Sequence, residues 1–177
     1  MARIDPLNAY EFERTRQAEI QNSVETNSIL VEEVVNEIVS RYSQELDNLI
    51  DEVHKVLLDH GNIENYELDI YIAKIPVLLY YVTSAQESVG VREDVSRMIR
   101  QKLYIQARQS ATGTVADKDS IAERAVEQET ISAAAYARAS KKLKHKCETA
   151  LELLSALKKI ISRRMEEYRV TQIGKDD

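Results

Sequence analysis

The chain has 177 residues, 44% of them hydrophobic, which is enough for one domain with a sizeable aliphatic core. Its one cysteine, Cys147, excludes an internal disulfide, and its N-terminal stretch MARIDPLNAYEFERTR is too charged for a signal peptide. No apolar run approaches the roughly 20 residues that span a bilayer. We therefore expect a cytoplasmic protein with no membrane contact.

Four glycines and two prolines leave the chain few places to reverse direction, so the composition predicts long helices and an all-α fold, an elongated helical bundle. Residues 1–19 lack a sustained apolar period and are expected to form a flexible N-terminal arm. A single helical domain is expected to follow over residues 20–177.

The first helix of this domain is expected at about residues 25–60, where apolar side chains recur at steps of three and four residues. Its polar face is acidic and includes Glu32, Glu33 and Glu37. Gly61, followed by Asn62, predicts a left-handed stop at the end of this helix.

Two further helical segments, at about residues 68–88 and 91–111, are expected to be separated at Gly90. The first is the most apolar part of the chain and contains Pro76. A buried strand is the alternative for it, but the chain offers no second strand for pairing. The second segment is basic, and the residues predicted to face inward from it are Val91, Val95, Met98, Ile99, Leu103 and Ile105 or Ala107.

A long last helix is predicted at about residues 118–170, because no glycine or proline interrupts the chain from Thr114 to Ile173. Ser120 and Glu123 have the spacing of a capping box at its start. Apolar residues then step by four and three residues, which is the spacing of a heptad seam and predicts homo-oligomerisation through this helix. The predicted seam consists of Leu143, Cys147, Ala150, Leu154, Leu157 and Ile161.

Motifs for catalysis are nearly absent from the sequence. It has no glycine-rich phosphate loop, no G-x-S-x-G and no C-x-x-C, and Cys147 falls on the predicted seam as a core residue. Asp51 and His54 share one helical face but lack the second pair that a di-metal bundle needs. We expect a protein that is not an enzyme, with no catalytic residue, metal site or cofactor.

Charge is distributed unevenly along the chain. Residues 1–90 carry a net charge of −11 and residues 91–177 carry +5, with the segment KKLKHK at 141–146 the densest basic cluster. Phosphate contact is one interpretation; a solvated helix face, or docking against the acidic first helix, are the others. The candidate nucleic-acid contacts are Arg138, Lys141, Lys142, Lys146, Lys158, Lys159, Arg163 and Arg164.

Three stretches of the chain, YIAKIPVLLYYVTSAQE, SATGTVADKDSIAERA and AYARASKKLKHKCETALELLSALKKIISRRMEE, resemble the UvsY-like recombination mediators of tailed bacteriophages. The resemblance covers about residues 70–170. It implies an oligomeric helical accessory protein of recombination or replication that binds single-stranded DNA in the host cytoplasm. Its partners would be a recombinase, which it helps to load, and a single-strand-binding protein.

Carried to this chain, the resemblance places basic contacts at Lys158, Lys159, Arg163 and Arg164, with Arg138, Lys141 and Lys142 as a second group. The alternative is a helical structural or protein-interaction module, a scaffold or an inhibitor, that makes no nucleic-acid contact.

Overall fold

A computed structural model describes residues 6–60 and 63–173, and these residues form four helices without a strand. The helices are α1 (Pro6–His60), α2 (Asn65–Ser110), α3 (Val115–Ala125) and α4 (Glu127–Ile173). The all-α prediction is confirmed. α2 runs antiparallel to α3 and α4, since it meets them in reverse order, and it packs against α4 along much of its length. α1 packs against both long helices.

α1 begins earlier than the sequence predicted. It starts at Pro6, so residues 6–19 continue the helix where a loose arm was expected. Residues 1–5 and the predicted stop at Gly61 and Asn62 lie outside the described residues. Between positions 31 and 53, α1 buries Val31, Val35 and Val39, and then Leu46, Leu49 and Val53.

α2 is one helix where two were predicted. It passes through both Pro76 and Gly90, so the helical interpretation of the apolar segment is confirmed and the break at Gly90 is wrong. Glycine in a helix interior costs only about 0.5–1 kcal/mol relative to alanine. Burial of Val89, directly before Gly90, and of Val82, two turns earlier, outweighs a penalty of that size, since they are 0% and 2% exposed.

The predicted last helix is divided into α3 and α4 at Val126, whose backbone departs from helical geometry at φ −115° and ψ 14°. The cap also lies elsewhere. Thr114 is the N-cap of α3 and forms a reciprocal capping box with Asp117, so Ser120 and Glu123 lie inside the helix. Gly113 precedes this cap at φ 118°, a left-handed conformation that favours glycine.

The core contains the predicted heptad seam of α4. Leu143, Ala150 and Leu157 are fully buried, while Cys147 and Leu154 are 8% and 7% exposed. Ile161 is partly buried against the same cluster, which also includes side chains of α1 and α2. The residues of the predicted seam therefore lie in a core that they share with side chains of α1 and α2.

On α2, several residues that were predicted to face the core are exposed. Val91, Val95, Met98, Ile99 and Ile105 were predicted to face inward, yet they are 42–65% exposed. Leu103 and Ala107, the alternative to Ile105, are half-buried, in agreement with the prediction. The inward side of this part of α2 also carries Val89, which is buried, and Tyr104, which is half-buried.

α2 also contains the most apolar stretch among the described helices, 18 residues with a mean hydropathy of 1.2. By length and composition alone α2 could cross a membrane. The sequence analysis had expected no apolar run of nearly that length. Only 28% of this stretch is buried inside the fold, and the buried side chains include Leu68, Ile75 and Leu79.

Candidate nucleic-acid interface

α4 presents basic side chains to solvent in two groups, at residues 138–145 and 158–163, with exposed Glu148 and Glu152 between them. Because the seam occupies one side of the helix, residues three or four positions apart on the other side remain in solvent. From the first to the last of these residues, 25 positions at 1.5 Å each give about 38 Å. We call this set the basic strip: Arg138, Lys141, Lys144, His145, Lys158, Lys159 and Arg163, all exposed.

Three of the predicted nucleic-acid contacts form hydrogen bonds with other helices or with residues at the start of α2, although Lys142 remains exposed. Lys146 donates from Nζ to Asp47 Oδ1 on α1, at 2.5 Å. The other oxygen of the same carboxylate accepts a hydrogen bond of 2.8 Å from the hydroxyl of Ser43, which is fully buried. Lys146 thus completes a polar contact between α1 and α4, and both partners are about one third exposed.

Arg164 and Lys142 are the other two. Arg164 Nη1 donates to the backbone carbonyl of Ile63, at 2.5 Å, and to Asn65 Oδ1, at 2.8 Å, and so ties α4 to the start of α2. Lys142 Nζ donates to Asn36 Oδ1 of α1, at 3.0 Å. A guanidinium that satisfies a backbone carbonyl beside a buried residue is committed to the fold.

Docking of basic α4 residues against α1 was one interpretation of the sequence, and the structure shows it in part. The partners differ from those expected, because Asn36 and Asp47 make the contacts. Glu32, Glu33 and Glu37 are exposed, and Glu37 pairs with Arg41 of its own helix.

Within the basic strip, the ion pairs are local and exposed. Lys144 and His145 both approach Glu148, at 4.0 and 3.9 Å, and Arg163 pairs with Glu167 at 3.0 Å. Pairs of this kind contribute about 0.2–1 kcal/mol and are easily exchanged for another anion. The remaining members, Arg138, Lys141, Lys158 and Lys159, make no hydrogen bond or ion pair with any residue the structure describes.

Aromatic side chains available for base stacking are few near the strip. Tyr104 is half-buried and donates to Asp119 Oδ1 at 3.2 Å; burial, together with this carboxylate, raises the pKa of Tyr104. Tyr136 is partly buried against the core. Tyr168 is 66% exposed and lines an open groove with Met165 and Arg169, just beyond the end of the strip.

The remaining candidates for chemistry do not come together. Asp51 and His54 are exposed, and no group of three or more His, Cys, Asp or Glu that could hold a metal occurs among the described residues. Cys147 is buried in the core, where its Sγ lies 3.8 Å from Thr83 Oγ1.

No family model, no curated protein and no solved structure matches this chain. The site is therefore defined by its own residues.

The sequence analysis omitted Lys144 and His145 from the candidate contacts, although both belong to the exposed side. It also missed the role of Lys146. One signal was present in the sequence, since Ser43 and Asp47 are one helical turn apart on α1 and form a polar pair on an otherwise apolar side.

Proposed function

We propose that this protein is a non-enzymatic accessory factor that binds single-stranded DNA through the basic strip of α4. One observation carries the proposal: after α4 has buried its seam and given three basic side chains to the fold, seven others remain exposed along about 38 Å. Four of those seven are unpaired within the described part of the chain.

A rigid helix with cations at this spacing suits an extended polyanion. Each lysine or arginine that neutralises a phosphate releases counterions, which favours binding at low salt without reading the base sequence. The acidic α1, with Glu32, Glu33 and Glu37 exposed, would repel the same strand and so restrict it to the α4 side. Tyr168 supplies one exposed ring at the end of the path for stacking.

The resemblance to UvsY-like mediators supports a more specific role. In that role the protein binds single-stranded DNA in phage recombination or replication and helps to load a recombinase onto strands coated by single-strand-binding protein. Homo-oligomerisation would multiply the strips on one assembly, and affinity would rise through multivalency.

The test compares two triple variants with equal change of charge. The first replaces Arg138, Lys141 and Lys159 of the strip by Gln. The control replaces Lys55, Lys74 and Arg124 by Gln; these are equally exposed but lie on α1, α2 and α3. Binding of a fluorescent single-stranded oligonucleotide is measured by anisotropy from low to moderate salt, and circular dichroism verifies that both variants are folded.

The strip variant should bind more weakly, and its dependence of log K on log salt should fall by about 2, at roughly 0.7 per lost phosphate contact. The control should bind like the unchanged protein. Equal losses in both variants would show that net charge, not the strip, is responsible. Failure of the unchanged protein to bind at low salt would overturn the proposed function.

A second candidate function is a helical scaffold or inhibitor that contacts only proteins. The exposed apolar side chains of α2 favour it, since a row of valines and methionine in solvent is typical of an interaction surface. If the unchanged protein bound no oligonucleotide at any salt concentration, this second function would be favoured.

A further inference from the structure

The exposed side of α2 carries a second heptad line that its own fold leaves uncovered. Every member lies in solvent, and successive members are separated by four and three residues in strict alternation. This is the period at which apolar side chains of two helices meet in a left-handed coiled coil. We call it the outer face of α2: Val77, Tyr81, Ser84, Ser88, Val91, Val95, Met98, Lys102 and Ile105.

The outer face is long and rich in apolar area. Over 28 positions it extends about 42 Å along the helix. Val91 and Met98 are 62% and 65% exposed, and Tyr81 and Val77 are 63% and 56% exposed. Six of its nine members are apolar or tyrosine, and exposed apolar side chains grouped in this way on a folded domain are typical of a protein–protein contact.

We infer that the outer face of α2 binds a second copy of this chain, with the two α2 helices packed side by side in parallel. The outer face can pack against a helix that has the same heptad period. The charged residues beside it attract those of a second copy when the two helices are parallel, but not when they are antiparallel.

The charges that flank the outer face determine that direction. In the heptad notation, with Ser88 at position a and Val91 at d, Glu87 and Asp94 fall at g and Arg92 falls at e. In a parallel pair, g of one helix faces e of the next heptad of its partner, so Glu87 meets Arg92 of the copy, twice by symmetry. Neither side chain has an ion-pair partner among the described residues.

An antiparallel pair is disfavoured by the same residues. There, g positions face g and e positions face e, which brings acidic Glu87 and Asp94 together and gives Arg92 no acidic partner. Like charges at such positions oppose association.

Lys102 is a further residue whose position in the heptad is typical of a parallel interface. It occupies an a position, where a parallel partner places a second Lys102 opposite it, and a lysine there weakens association while fixing the register. Its replacement by an apolar residue should therefore strengthen self-association, an effect opposite to that expected for an ordinary surface lysine.

The experiment is sedimentation equilibrium of the full chain over a range of protein concentrations, with four variants. Glu87→Arg should weaken self-association about fivefold or more, and Glu87→Arg with Arg92→Glu should restore it. Val91→Asp with Met98→Asp should weaken it at least about 100-fold, since two carboxylates would enter an apolar contact. Lys102→Leu should strengthen it.

These variants alter exposed residues, so circular dichroism should show unchanged helicity. A chain that stays monomeric up to high concentration overturns the inference, as does self-association that Val91→Asp with Met98→Asp leaves intact. Stronger association of Glu87→Arg would also overturn it, because it would indicate antiparallel packing. The inference does not depend on DNA binding, so either proposal can fail alone.

Discussion

Two lines of side chains run along this molecule with the same alternating spacing of three and four residues, one on α4 and one on α2. The line on α4, which contains Leu143 and Leu157, is buried by α1 and α2. The line on α2, which contains Val91 and Met98, lies in solvent. The difference shows that a heptad period identifies a surface able to pack against a helix, but not whether that helix belongs to the same chain.

The position of each helix in the bundle explains the difference. α4 packs against both α1 and α2, so its apolar side is enclosed. α2 uses its inward side for the same core and carries apolar residues on its outward side as well, where no described helix covers them. The outer face is thus the surface on which we propose that a second copy binds.

The largest effect is expected from the α4 line. Leu143→Ala should lower the free energy of unfolding by about 2–5 kcal/mol, because a fully buried leucine leaves a cavity in a packed core. The matched control is Leu151→Ala on the same helix, where the side chain is 53% exposed and the change should stay within about 0.5 kcal/mol. Urea unfolding followed by circular dichroism measures both. Similar effects of the two substitutions would contradict the assignment of the α4 line to the core.

A smaller effect is expected from a pair of valines on α2. Val89→Ala should lower the free energy of unfolding by about 2 kcal/mol, because Val89 is fully buried. Val91→Ala, two positions along, should change it by no more than about 0.5 kcal/mol in dilute protein, where self-association is absent. A large loss of stability for Val91→Ala in the monomer would show that the outward side of α2 is covered by its own chain.

The smallest effect concerns the start of α3, which supports the inward side of α2 near Tyr104. Hydrogen bonds from the hydroxyl of Thr114, at 2.7 Å, and from its backbone N–H, at 3.0 Å, lower the pKa of Asp117 below its ordinary value. The ionised carboxylate is therefore favoured by folding. The stabilisation it gives is present above the ordinary pKa and is lost as the pH falls through the lowered pKa of the folded state.

Thr114→Val should raise the pKa of Asp117 toward its ordinary value, because the larger of the two hydrogen-bond contributions is removed. A carboxyl-detected NMR titration measures the shift. Thr112→Val, just outside the cap, serves as the control and should leave the titration of Asp117 in place. An unchanged pKa in Thr114→Val would show that the hydroxyl does not hold this carboxylate.

Much of the fold follows from the sequence. The scarcity of glycine and proline predicts long helices, the period of residues 25–60 predicts an amphipathic first helix, and the line from Leu143 to Ile161 is apolar as its spacing requires. These features depend on local backbone preference and on side-chain period, which neighbouring residues in the chain determine.

Other features could not be predicted from local pattern. Gly90 resembles a helix end in the sequence, but burial of Val82 and Val89 keeps α2 continuous. Ser120 and Glu123 have the spacing of a cap, yet Thr114 and Asp117 form it, because α3 begins at Val115 and already contains the later pair. Packing explains the first case, whereas in the second the reciprocal bonds of Thr114 and Asp117 directly follow Gly113, whose φ of 118° allows the chain to turn there.

The candidate site likewise has one part that the sequence predicts and one part that depends on helix packing. Helical period is enough to predict that basic side chains lie on the solvent side of one long helix whose other side is apolar. Which of these cations remain free depends on how the helices pack. Lys146 faces an acceptor on α1, and Arg164 faces acceptors at the start of α2, whereas Lys141 and Lys159 face solvent. The chain brings those acceptors near only when its helices pack.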